Sequence, residues 1–198
     1  MDTQKPDALT LEQEPENSTS GIVWEVIKFF VIASIIVIPI RIFIAQPFIV
    51  SGSSMDPTFA DKQYLIVDQL SYNLGTPERG DVVILRYPLD TSVFFIKRVV
   101  GLPNETVTIT DGVVSITSPE NELGITLDEP YIKFPKFDSS TRTLGDKEYF
   151  VMGDNRAASL DSRAWGPAPE NLIIGKVFLR LLPTSQASLN PGAYNQPQ

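Results

Sequence analysis

Apolar and polar residues follow distinct textures along this chain, and each change of texture predicts an element. Residues 1–20 carry Pro, Glu and Gln with almost no large apolar side chain, too little apolar surface to offset the entropy of ordering, so a disordered tail is expected. Residues 22–45 are almost wholly apolar. As a helix, a run of that length reaches roughly 36 Å against a hydrocarbon thickness of about 30 Å, which predicts one membrane-spanning anchor over residues 21–45. Beyond it come short β-rich runs at 64–67, 81–87, 93–100, 106–110, 113–117 and 149–152, separated by Pro, Gly, Asn and Asp. Such spacing predicts a mainly β, antiparallel domain with few helices over residues 46–182. Asp111-Gly112 stands between two alternating runs and signals a two-residue hairpin. Residues 183–198, rich in Pro, Ser, Asn and Gln without apolar periodicity, read as a second disordered tail.

Charges interrupt the apolar run near its ends: Glu25 and Lys28 lie one turn apart at one end, and Arg41 lies at the other, where long side chains reach the headgroups. A buried core helix or a cleaved leader would share the apolar run. The acidic flank lacks a basic region, however, and no small-residue cleavage site follows. Basic residues concentrate on neither side, so charge bias does not orient the anchor.

Composition sharpens the picture by an absence, since the 198 residues include no His and no Cys. That excludes a Ser-His-Asp triad, a cysteine nucleophile and a His-ligated zinc site. Any nucleophile must be Ser, Thr or a carboxylate, and any base Lys, Asp, Glu, Tyr or the terminal amine. Without Cys there are no disulfides to report on the redox compartment. A net charge of -8 argues against a nucleic-acid partner. Neither a metal nor a cofactor is expected, and the length suits one anchored domain.

Candidate chemistry begins just past the apolar run. Val50-Ser51-Gly52-Ser53-Ser54-Met55-Asp56-Pro57-Thr58 is a Gly- and Ser-rich turn in which Pro57 disfavours helix at Asp56. It can present a hydroxyl at its tip, although serines are also ordinary turn formers. In the run 94–100, strand alternation puts Lys97 on one face with Phe95 and Val99. Desolvation there would favour the neutral amine. A lysine near pKa 10.4 must fall by about two to three units, some 3–4 kcal/mol, to act as a base near neutrality. The same residue could instead guard an exposed strand edge.

Taken in order, Ser54-Met55-Asp56-Pro57-Thr58, Arg79-Gly80-Asp81-Val82-Val83, Ile96-Lys97-Arg98-Val99-Val100-Gly101-Leu102-Pro103 and Gly153-Asp154-Asn155-Arg156 resemble the successive boxes of the type I signal peptidases. The last continues through Ala157-Ala158-Ser159-Leu160-Asp161-Ser162-Arg163-Ala164-Trp165-Gly166, and the resemblance spans residues 22–182. It implies cleavage of secretory precursor proteins after the small residues that end their signal peptides, through an acyl-enzyme. The setting it implies is the outer face of a bacterial cell membrane or thylakoid-type internal membrane, with a single pass through the lipid bilayer.

By this resemblance Ser54 is the nucleophile and Lys97 the general base. Ser159 would hydrogen-bond and orient the amine, although it is equally a loop hydroxyl that caps its own backbone. Asp154, Asp161, Arg98, Arg156 and Arg163 resemble the family's ionic cluster, expected to hold the Ser159 loop against the Lys97 strand. The Ser54 main-chain N–H would form part of an oxyanion hole. Two positions depart from the family: Gly52 stands where some members carry a hydroxyl donor, and Ala157-Ala158 where polar residues are usual. Substrate would lie as an added strand between residues 48–51 and the strand ending at Lys97, with Phe48, Val50, Met55, Phe95 and Ile96 as candidate pocket residues. Residues 105–147 look like a short form of the family's variable β insertion. An anchored β domain without catalysis and a Ser-Lys self-cleaving regulator are the competing readings. The anchor and the lack of a DNA-binding helix pair weigh against the regulator.

Overall fold

A computed structural model describes residues 19–39 and 45–194. The chain divides into Met1–Pro39 and Ile40–Gln198. In the first unit, helix α1 spans Thr19–Pro39. Ile22, Trp24, Phe29, Phe30, Ile32 and Ile35 are all exposed on it, and Glu25 pairs with Lys28 at 2.6 Å. Among the described residues no helix is long and apolar enough to cross a membrane. Most of the predicted N-terminal tail and residues 40–44 of the predicted anchor lie outside the described residues.

The strands of the second unit are, in chain order, β1 (Ala45–Ile49), β2 (Tyr64–Asp68), β3 (Val82–Tyr87), β4 (Asp90–Gly101), β5 (Thr106–Thr110), β6 (Val113–Ser118), β7 (Asn121–Thr126), β8 (Ser140–Thr143), β9 (Glu148–Met152), β10 (Ala168–Pro169), β11 (Ile173–Leu182) and β12 (Ser188–Leu189). An 8-stranded sheet runs β1-β2-β11-β3-β4-β9-β10 with β12 on β11, and a 4-stranded sheet runs β7-β6-β5-β8. The pairings are antiparallel throughout.

Period-2 patterning explains the layers. In β2, Leu65 and Val67 point inward and join Val50, Met55, Phe59, Val82, Ile84, Ile96 and Val177 in one core. Val107, Ile109, Val114 and Ile116 of the smaller sheet pack with Val100, Phe150 and Met152 of the larger one, so the insertion is welded to the β4–β9 end. The Asp111-Gly112 hairpin forms as the pair predicts: Thr110 opposes Val113, and both turn residues have positive φ, 49° and 80°, the geometry of a type I′ turn.

Every predicted β run is a strand, with ends displaced by a few residues. Those not anticipated include β1, hidden at the end of the apolar run, and β11, whose alternation is broken by register shifts against both neighbours. The C-terminal segment differs from expectation. Residues 183–194 are ordered: Leu179 pairs with Leu189, the Asn190 N–H donates to the Phe178 carbonyl at 2.7 Å, and the Tyr194 hydroxyl donates to Asp128 at 2.9 Å. Hydrogen bonds to a finished sheet order this segment, and they leave no apolar periodicity in the sequence. Residues 195–198 lie outside the described ones.

Candidate active site

The turn after β1 is fastened at both flanks. The Val50 N–H donates to the Gln63 carbonyl and the Lys62 N–H to the Val50 carbonyl, both at 2.9 Å. Gly52 adopts φ of 88°, a region that favours glycine, and its N–H is taken by Asp61 Oδ1 at 2.9 Å. Met55 and Phe59 sink into the core at 1% and 0% exposure, which leaves Ser54 half-buried on the rim. Met55, expected in a substrate pocket, is a core residue that roots the Ser54 turn.

Lys97 reaches this turn from β4, where it pairs with Val83. Its Nζ lies 2.9 Å from Ser54 Oγ and 2.9 Å from the Ile96 carbonyl, with the Phe95 ring centroid 4.9 Å away. The side chain is only 2% exposed. Burial pulls its pKa down from 10.5 to about 8, while the charges of Asp161 and Asp154 pull in the opposite direction. A substantial fraction of this amine is consequently neutral just above neutrality, able to accept a proton from the hydroxyl beside it.

The expected ionic cluster resolves into separate pairs. Arg98 grips Asp154 with Nε at 2.8 Å and Nη2 at 2.6 Å, both side chains 1% exposed. Asp154 also accepts from the Thr58 hydroxyl, so one carboxylate joins the Ser54 turn, the Lys97 strand and its own loop. Arg98 Nη1 donates to the Gly192 carbonyl at 2.7 Å, which adds the C-terminal segment to the same knot. Asp161 accepts Arg163 Nε and Nη2 at 2.8 Å each and the Gly153 N–H at 3.1 Å. Burial works to raise the Asp161 pKa, but the hydrogen bonds and charge of Arg163 prevail and hold it below the usual carboxylate value. Arg156 pairs outside the expected cluster, with Glu129.

The Lys97 amine bonds Ser54 and the Ile96 carbonyl rather than Ser159, the residue expected to orient it. The Ser159 hydroxyl oxygen is buried, lies close enough to Asp161 to help hold that carboxyl below its usual pKa, and crowds against Gly153, where an added Cβ would collide with Ser159 Oγ and the Ser54 carbonyl. Asn155, unassigned by the sequence reading although it stands within the Gly153-Asp154-Asn155-Arg156 box, does part of the positioning. Its N–H donates to the Ser54 carbonyl at 3.0 Å, and its Nδ2 to the Ser53 carbonyl at 3.0 Å.

Beside the Ser54 and Lys97 pair runs a cleft lined by Phe48, Val50, Phe95 and Ile96 among others, with a cavity volume of about 80 Å³. Its walls are β1, the edge of the larger sheet, and the 94–97 stretch of β4. That stretch is bonded to β3 on one side, while β9 pairs only beyond it. The Phe48 and Phe94 rings approach to 5.6 Å. Two strand edges thus face a narrow space next to the hydroxyl. Among the described residues no group of His, Cys, Asp or Glu is arranged to hold a metal ion.

The profile of the family described as signal peptidase, peptidase S26, matches residues 23–182. A probable signal peptidase I-2 of Synechocystis sp. is 36% identical over 186 residues, covering 90% of this chain and 80% of its own. The signal peptidase I of Bacillus amyloliquefaciens is 36% identical over 185 residues, covering 84% and 92% respectively. A solved signal peptidase I from Enterococcus faecalis is 28% identical, covers 52% of this chain and 97% of its own, and gives a TM-score of 0.45. This chain belongs to the signal peptidase family, the S26 serine peptidases.

Proposed function

We propose that this peptidase removes N-terminal signal peptides from secreted precursors by cleaving after small residues, with Ser54 as nucleophile and Lys97 as general base. The observation that carries the reading is the 2.9 Å contact between a buried amine and a rim hydroxyl. Neutral Lys97 takes the Ser54 proton as Oγ attacks the scissile carbonyl, and the resulting ammonium returns it to the departing amine. The acyl-enzyme then yields to water activated by the same amine. The Ser54 N–H is the proposed oxyanion donor, and such a donor contributes about 2.7–4 kcal/mol. The Gly52 N–H does not serve beside it, being committed to Asp61. The facing edges of β1 and β4 suit an extended peptide, and the small cavity suits small side chains.

The apolar run over residues 21–45, of which α1 is the described part and by itself too short or too polar to span, is proposed as a single-pass anchor in a bacterial or thylakoid-type membrane, with the peptidase unit on the extracytoplasmic side. Support comes from apolar side chains exposed all round the helix, a distribution unfit for a water-facing surface. Tethering would raise the effective concentration of membrane-bound precursors.

The test is cleavage of a secretory precursor by the full chain in detergent, with Ser54→Ala and Lys97→Ala alongside at matched folding. Cleavage at the small-residue site that both substitutions abolish is expected. Cleavage that survives either one removes the dyad. For the anchor, release of the full chain from membranes by alkaline carbonate would refute it.

A further inference from the structure

The insertion over residues 105–147 supplies more than a second sheet. Its returning segment, between β7 and β8, lies along the loop that carries Asp154, Ser159 and Asp161. Glu129 accepts Arg156 Nη1 at 3.0 Å and also Nη2, with side chains 8% and 3% exposed. The Phe134 carbonyl accepts the Ala157 N–H at 3.1 Å. Asp138 accepts Arg163 Nη1 at 3.2 Å. The Tyr131 ring lies 4.1 Å from the Arg98 guanidinium, and its hydroxyl donates to Glu129 at 2.9 Å.

From these contacts we infer that Glu129 is a positioning residue for the catalytic loop, acting through Arg156, and that the insertion serves to carry it. The inference rests on the Ser-Lys peptidase reading above. Arg156 uses Nε to hold the Gly153 carbonyl at 3.2 Å. Gly153 packs against Ser159 and the Ser54 carbonyl with no room for a Cβ, so the hold on Arg156 bears on the packing behind Ser54. Without Glu129 a buried guanidinium loses its countercharge and must turn toward water, taking the Gly153 carbonyl with it. Asp154 and Asn155 tie the loop to the Lys97 strand and to the Ser54 turn, and Glu129 adds the buried ion pair that ties it to the insertion.

The experiment compares Glu129→Ala, Glu129→Gln, Tyr131→Phe and the double variant Glu129→Ala/Arg156→Met with the parent full chain in detergent. It measures amide hydrogen exchange and steady-state cleavage of a signal-peptide substrate. In Glu129→Ala, exchange across residues 153–161 should rise about tenfold while the β5–β6 hairpin stays within about twofold. Its kcat should fall about tenfold or more with KM within about twofold, since a small misplacement of reacting groups costs turnover. Glu129→Gln should recover part of that loss, and the double variant should lose no more than the single one. Should Glu129→Ala fail to fold, Glu129→Gln and Tyr131→Phe must still show a severalfold fall in kcat.

Unchanged loop exchange, or Ser54-dependent cleavage with kcat within about twofold of the parent in every folded variant, overturns the positioning role alone. Absence of Ser54-dependent cleavage by the parent sinks the peptidase reading and this inference with it.

Discussion

Lys97 Nζ and Ser54 Oγ stand 2.9 Å apart with no residue between them, so in the proposed mechanism the proton has a direct path and the protonation state of one amine would gate the reaction. Burial sets that state by lowering the Lys97 pKa to about 8. The value of kcat/KM should therefore rise about tenfold per pH unit below pH 8 and level off above it. A pH profile between 5 and 10 checks this, and activity that stays flat down to pH 5 removes Lys97 as the base.

The same burial has a stability signature. Lys97 loses its proton near pH 8 when folded, whereas an unfolded lysine keeps it to about pH 10.4. Between those values the unfolded state binds more protons, so stability from this group rises with pH, by about 3 kcal/mol in all. Lys97→Met should lack that rise and be more stable than the parent at pH 7. Parallel urea denaturation at pH 7 and pH 10 measures it, and an unchanged difference between the two proteins at both pH values counts against a depressed amine.

Asp154 should matter to folding more than any surface carboxylate. Asp154→Ala strands the Arg98 guanidinium in an environment where it is 1% exposed, at a cost of about 3–5 kcal/mol. Thr58→Val removes one hydrogen bond to the same carboxylate and should cost about 1–3 kcal/mol. Denaturant midpoints give the ranking; equal losses would show that the Arg98 pair is not the centre of the knot.

Two glycines should separate catalysis from stability. At Gly153 an added Cβ meets Ser159 Oγ and the Ser54 carbonyl, so Gly153→Ala should lower kcat at least about tenfold through displacement of the nucleophile turn. At Gly124 the φ is 73° and an added Cβ meets the Ile116 carbonyl within the smaller sheet, so Gly124→Ala should lower stability by at least about 1–2 kcal/mol and leave kcat within about twofold. Steady-state kinetics beside thermal melts decide it, and a Gly153→Ala enzyme with parental kcat would refute the close packing as functional.

The sequence by itself determined what local chemistry can encode. Alternating runs specify strands because successive side chains face opposite ways. Asp111-Gly112 specifies the hairpin because both positions need positive φ. The absence of His and Cys narrows the candidate base to a few residue types, and the Ser54 and Lys97 segments then stand out. Only the tertiary structure decided which charges meet. Asp154, Asp161, Asp138 and Glu129 are equivalent as partners in a string of letters, yet Arg156 takes Glu129, 27 positions away, because the fold returns the insertion to that loop. Burial of Met55 and order in residues 183–194 were likewise decided there. Core position and hydrogen bonding to an assembled sheet depend on neighbours distant in the chain, and no local pattern records them.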